Sequence, residues 1–123
     1  MVTEAFPILT VRELEDALRL YRDVLGGDEM YRFPEGGDPV FMTLRIGGAT
    51  LGLGVDPART APDRERAHRD IALCLYVEDC DAAVERLRGD VEVVDEPEDQ
   101  PYGERMARVV DGDGHGLVLL STL

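Results

Sequence analysis

Residues 9–18, Leu-Thr-Val-Arg-Glu-Leu-Glu-Asp-Ala-Leu, align with residues 75–84, Leu-Tyr-Val-Glu-Asp-Cys-Asp-Ala-Ala-Val, at a constant offset of 66. Leu9, Val11 and Ala17 recur as Leu75, Val77 and Ala83, and the acidic pair Glu13 and Glu15 recurs as Asp79 and Asp81. Each copy reads as a short apolar strand, an acidic turn and an amphipathic helix. A unit of this size cannot bury its own apolar face, so the two copies are expected to share one structure.

The elements that follow each copy repeat in the same order. Phe6–Val11 reads as a strand, and 13–25 as a helix with Leu14, Ala17, Leu18, Tyr21 and Leu25 on one face, stopped by Gly26-Gly27. Strands are expected at 29–33, 40–46 and 50–55, the last two joined across Gly47-Gly48-Ala49. In the second half, 71–77 reads as a strand, 81–88 as a helix, 91–94 as a strand and 96–103 as an acidic loop. A hairpin of 105–110 and 117–120 closes the chain. The expected class is α+β, with two paired β-α-β-β-β modules. Residues 1–55 form the first module, 56–70 a polar connector and 71–123 the second, in one structural domain.

The net charge of −13 disfavours nucleic-acid and anionic-membrane partners, and would steer a cationic ligand inward. No apolar run reaches the length of a membrane span, and the N-terminus does not read as a secretory signal, so the cytoplasm is the expected compartment. Two cysteines make no disulfide framework there; Cys74, inside a strand, is expected to be a small buried apolar residue.

Several segments are specific enough to carry a resemblance. Pro7-Ile8-Leu9-Thr10-Val11-Arg12-Glu13, Ala17–Tyr21 and Asp23-Val24-Leu25-Gly26 resemble the opening of vicinal oxygen chelate proteins. Gln100-Pro101-Tyr102-Gly103 and Asp111-Gly112-Asp113-Gly114-His115 resemble their closing motifs. The superfamily includes glyoxalase I, extradiol dioxygenases, fosfomycin-modifying enzymes and bleomycin-resistance proteins. The resemblance implies paired modules that each curl into half a cup. It also implies that any metal-ligand positions lie at Phe6, Gly52, Ala72 and Val118. None of these side chains can ligate a divalent ion, and the flanking residues offer no replacement donor. His68 and His115 fall in the connector and the closing turn, where neither is placed like a ligand. No cofactor is expected. No nucleophile–base pair and no phosphate loop stand out.

An empty cup remains, suited to ligand capture. Strand parity turns Ala72, Cys74 and Tyr76, and Gly52 and Gly54, to one side of their strands. The two glycines leave room for a flat ligand or, equally, mark a bulge. Tyr31, Phe33, Phe41, Tyr102 and Met106 complete the candidate walls, although core packing accounts for any single aromatic among them except Tyr102, which follows a proline in a polar loop. The resemblance is strongest to the metal-free bleomycin-resistance branch, whose Gln-Pro-aromatic-Gly motif contacts the drug and whose sites lie between the subunits of a dimer. It implies a homodimer that sequesters a bulky aromatic or cationic antibiotic without altering it. The alternative is a metal-free lyase or isomerase acting on a small metabolite.

Overall fold

The computed structural model describes residues 1–123, which separate into two compact units, Met1–Arg59 and Thr60–Leu123. In the first unit, β1 (Ile8–Val11) leads to α1 (Leu14–Leu18), which continues into a π-helical turn over Arg19–Val24. Strands β2 (Asp28–Phe33), β3 (Phe41–Ile46) and β4 (Ala49–Val55) follow. In the second unit, a short 3-10 turn at Arg64–Arg66 precedes β5 (Leu73–Tyr76) and α2 (Cys80–Leu87). Strands β6 (Glu92–Asp99), β7 (Glu104–Val110) and β8 (Gly116–Thr122) complete it. No helix is long and apolar enough to cross a membrane.

Each unit holds one four-stranded sheet, ordered β1-β4-β3-β2 and β5-β8-β7-β6. The first strand pairs parallel to the last, and the other ladders are antiparallel. The repeat extends into these ladders. Ile8 pairs with Gly52, and Cys74, 66 residues on, pairs with Val118, which is 66 residues beyond Gly52.

Alternation divides each sheet into a helix face and an opposite face. In the first unit, Val11, Met42, Leu44, Leu51 and Leu53 are buried on the helix side with Leu14, Leu18 and Tyr21. In the second, Ala107, Val109, Leu117 and Leu119 are fully buried there with Val84 and Leu87. Fully burying a side chain of this size is worth about 1.5–3 kcal/mol, so these layers supply most of the driving force for each unit.

The first helix differs from the uniform α-helix read over 13–25. Leu25 N–H donates to the Leu20 carbonyl at 2.9 Å, a five-residue step. This wider turn keeps both Leu20 and Tyr21 buried, where a strict 3.6-residue period places Leu25 instead. The second helix starts more firmly. The Asp79 carboxylate accepts from Ala82 N–H at 3.1 Å, and Ser121 Oγ accepts from Cys80 N–H at 3.2 Å. Burial pushes the Cys80 thiol pKa up, and its Sγ lies 3.6 Å from the Leu119 carbonyl.

The first half of the acidic stretch read as a loop over 96–103 is strand, since β6 runs to Asp99, and the turn is confined to 100–103. Its charges face arginines of neighbouring elements, with Asp95 paired to Arg108 at 3.3 Å and Asp99 to Arg105 at 2.8 Å. Arg105 also grips Asp81 of α2 at 2.7 Å, holding that carboxyl below its usual range. Opposite charges across a ladder favour pairing, so an acidic run need not be loop. The interruptions between Val93, Asp95 and Glu98 are bulges, and Pro97 sits there, where no ladder bond is lost.

Of the connector read over 56–70, residues 60–70 belong to the second compact unit. His68 Nε2 donates to the Leu117 carbonyl at 3.0 Å. A Cβ at Gly114 would lie 2.6 Å from the Pro62 ring, and one at Gly116 would lie 2.3 Å from the Ala67 carbonyl oxygen. The segment has little apolar content, so hydropathy does not reveal this docking; the small residues it meets do.

Ser121 is 5% exposed, and its hydroxyl is the acceptor for the first turn of α2. Ser121→Ala strands a buried N–H and is expected to lower unfolding free energy by about 1–3 kcal/mol, measured by urea denaturation. An unchanged midpoint and slope would contradict this role.

Candidate functional site

The face opposite the helix is covered by no element of its own unit. In the first unit, register places Ile8 and Thr10 beside Gly52 and Gly54, Gly52 and Gly54 beside Thr43 and Phe41, and those two beside Tyr31 and Phe33. Three of the candidate walls, Tyr31, Phe33 and Phe41, therefore share one surface with each other and with the glycines. Tyr31 is 52% and Phe33 57% exposed, too open for core residues, and the Tyr31 and Phe41 rings meet at 6.3 Å with a 59° tilt.

Gly52 has a specific reason to be glycine. A Cβ there would lie 2.9 Å from Ile8 Cγ1 and 3.3 Å from both the Phe6 and Phe41 rings. The bare backbone is the floor on which two rings rest. Its φ requires nothing unusual, and the ladder through it is continuous, so the glycine serves close approach and not a bulge. Gly54 is less confined, with only Ile8 Cγ2 at 3.5 Å. Phe6 and Ile8 belong to this surface and were not among the walls read from sequence; the parity of Gly52 across a parallel ladder would have found Ile8.

In the second unit, the corresponding face carries Cys74, Tyr76, Val118, Leu120, Met106 and Arg108 in adjoining rows. Cys74 is exposed, which corrects its reading as a buried apolar residue; strand parity turns it away from the helix, and Cys80 is the buried thiol. Tyr76 is 68% exposed, and the nearby Glu104 carboxylate holds its hydroxyl pKa up. Tyr102 projects from the turn between β6 and β7. Gly103 closes that turn at φ +87°, and Tyr102 Oη donates to Met106 Sδ at 3.5 Å.

The four positions at which the superfamily holds a metal can be tested for fit. Phe6 and Gly52 come together in the first unit, as metal ligands would, but present a ring edge over bare backbone. Ala72 and Val118 lie on the β5–β8 side of the second sheet, where Cys74 is the one neighbouring soft donor. Nowhere do three or more His, Cys, Asp or Glu side chains gather. Divalent transition ions need about three or four such donors, so these residues do not fit one. Both histidines are engaged elsewhere: His68 on the Leu117 carbonyl, His115 with Nδ1 at 2.9 Å from Asp111 Oδ2 in the closing turn. Asp111 Oδ1 also accepts from Asp113 N–H and His115 N–H, so the Asp-Gly-Asp-Gly segment is a self-bonded hairpin turn and not a calcium loop.

The fold of both units, with its repeated register, agrees with a family model that matches residues 4–119, that of the glyoxalase/bleomycin resistance protein/dioxygenase superfamily. The chain belongs to this superfamily. Solved structures similar to this superfamily member include a hypothetical protein from S. aureus, 25% identical, covering 98% of each chain with a TM-score of 0.75. TioX from Micromonospora sp. ML1 is 21% identical, with 99% of this chain and 100% of that one covered and a TM-score of 0.74. A mutant of the fosfomycin resistance protein FosX from Listeria monocytogenes, complexed with Mn(II) and a dihydroxypropylphosphonic acid, is 16% identical. It covers 100% of this chain and 95% of that one with a TM-score of 0.77. The likeness to TioX and FosX is one of fold. No functionally curated protein matches the chain.

The two glycines provide a paired test. Gly54→Ala meets ordinary van der Waals contact and is expected to change stability by less than about 0.5 kcal/mol. Gly52→Ala must displace Ile8 and two rings and is expected to cost about 1–3 kcal/mol, read as a lower thermal midpoint. Equal midpoints would show that the rings do not rest on Gly52.

Proposed function

We propose that this protein binds a bulky aromatic or polycyclic small molecule, without a metal and without changing it, and confers resistance by sequestration. The observation that carries this reading is the open face of the first unit. Phe6, Phe41, Tyr31 and Phe33 surround a glycine floor at the position where the superfamily's enzymes place a metal. A flat apolar ligand stacks on such a surface, and each aromatic pair adds about 0.5–1.5 kcal/mol beyond the area buried. The open face of the second unit, taken by itself, carries Tyr76, Tyr102 and Met106. A metal-free binding protein of the bleomycin-resistance kind fits this chemistry better than a metal-dependent lyase or oxygenase does. Resistance to fosfomycin is what the name of the FosX neighbour carries, and a resistance role for this chain is part of the proposal.

The proposed working form is a homodimer in the cytoplasm. Ile8, Met30, Val40 and Ile71 are each more than half exposed, an amount of apolar surface that a second copy would cover. The expected result of light scattering at micromolar concentration is a dimer; a monomer would count against this part.

Ligand binding is tested by a thermal-shift screen against DNA-damaging natural products, since a ligand bound only by the folded state raises the midpoint. A hit should be recovered chemically unchanged after stoichiometric incubation. Tyr102→Ala should weaken binding roughly tenfold while leaving the midpoint of the free protein nearly unchanged, because the ring is 59% exposed. Product formation, or full affinity in Tyr102→Ala, would overturn the reading.

A further inference from the structure

The open face of the second unit differs in chemistry from that of the first. Its rows follow from the register. Tyr76 lies beside Leu120, Leu120 beside Met106 and Met106 beside Glu98; Glu104 lies one row on, beside Thr122. The Tyr102 hydroxyl, bonded to Met106 Sδ, places a second ring next to this row. The Tyr76 hydroxyl lies close enough to the Glu104 carboxylate for that charge to hold its pKa up. Two tyrosines, a thioether and a half-buried carboxylate thus meet on one patch of sheet.

The carboxylate of Glu104, half-buried beside Tyr76, is ion-paired to no arginine, and neither is Glu98 on the same face. Asp81, Asp95, Asp99 and Glu96 around it are each paired to an arginine. Arg105, its chain neighbour, points to the helix face, where Asp81 and Asp99 hold it. Arg108 shares the face of Glu104 but is bonded to Asp95. The other titratable groups facing the patch are Glu98, Cys74 and the two tyrosines, and none carries positive charge. A tyrosine hydroxyl can satisfy only one of the several lone pairs of a carboxylate and leaves the rest directed at whatever occupies the patch.

We infer that Glu104, framed by Tyr76, Tyr102 and Met106, is a recognition point for a cationic nitrogen on an aromatic ligand. Ring faces attract a cation by about 0.5–2 kcal/mol, and the partly desolvated carboxylate supplies a charge-assisted contact. Met106 adds a polarizable surface that adapts to the shape of the ligand. This inference rests on the proposed binding function and deepens it, naming the class of ligand as aromatic cations such as protonated amines or amidines on a planar ring system.

The test compares two tricyclic probes of similar shape, proflavine, which is cationic at neutral pH, and acridone, which is neutral, in fluorescence titrations of the full chain. Wild type is expected to bind proflavine about tenfold more tightly than acridone at low salt, with the preference shrinking as salt is added. Glu104→Gln, which keeps the shape and the hydrogen-bond capacity, should remove that preference and leave acridone affinity unchanged, with an unaltered thermal midpoint. Tyr102→Ala should weaken both probes alike. If both probes bind but show no preference, or Glu104→Gln leaves the preference intact, the inference falls while the binding function stands. If neither probe binds, both fall.

Discussion

Everything in each unit follows from the parallel pairing of its first strand with its last. That ladder brings Ile8 to Gly52 and Cys74 to Val118, and so fixes which residues of four strands face the helix and which face away. A slip of one residue would exchange the two sets, burying Tyr76 and exposing Leu75 and Leu119. The helix face resists such a slip because leucine, valine and methionine fill it without gaps in the pattern. The opposite face inherits its composition from the same register. It can be specialised without disturbing the core, which is how one fold comes to carry either metal ligands or an aromatic surface.

The aromatic surface of the first unit is a packing solution in its own right. Phe6 and Phe41 approach the backbone at Gly52 because no Cβ stands between them. A histidine or glutamate at those two positions would give donors to a metal; a ring and a glycine give a floor and a wall. The second unit combines the same geometry with charge, placing Glu104 beside Tyr76 while arginines neutralise the acids on its flanks. A net charge of −13 is thus not spread evenly in effect. The arginines offset acids in exposed ion pairs, which contribute little to stability, and the carboxylates left over make up the net charge and set the local field.

Much of this was legible in the chain itself. The repeat between Leu9 and Leu75 implied two units of one design, and the family match over residues 4–119 bears out the resemblance carried by the opening and closing motifs. Periodicity placed the strands but missed the π-helical turn after Leu18, because five-residue bonding alters which residues share a face without changing composition. Charge density misled at 96–99, where acids that look like loop are strand residues facing Arg105 and Arg108. Cys74 was pulled two ways, by composition towards the core and by parity towards the open face, and parity decided. The role of Glu104 was not legible, since it depends on which arginines are already engaged, and only the fold brings those partners together.

Ligand capture as proposed for this protein needs no metal. This is tested most directly by measuring the affinity of one ligand from the screen in protein stripped with a chelator, and again with excess Mn(II) or Zn(II). The same dissociation constant in all three conditions is the predicted result. Binding that disappears with the chelator and returns with a metal ion would contradict it.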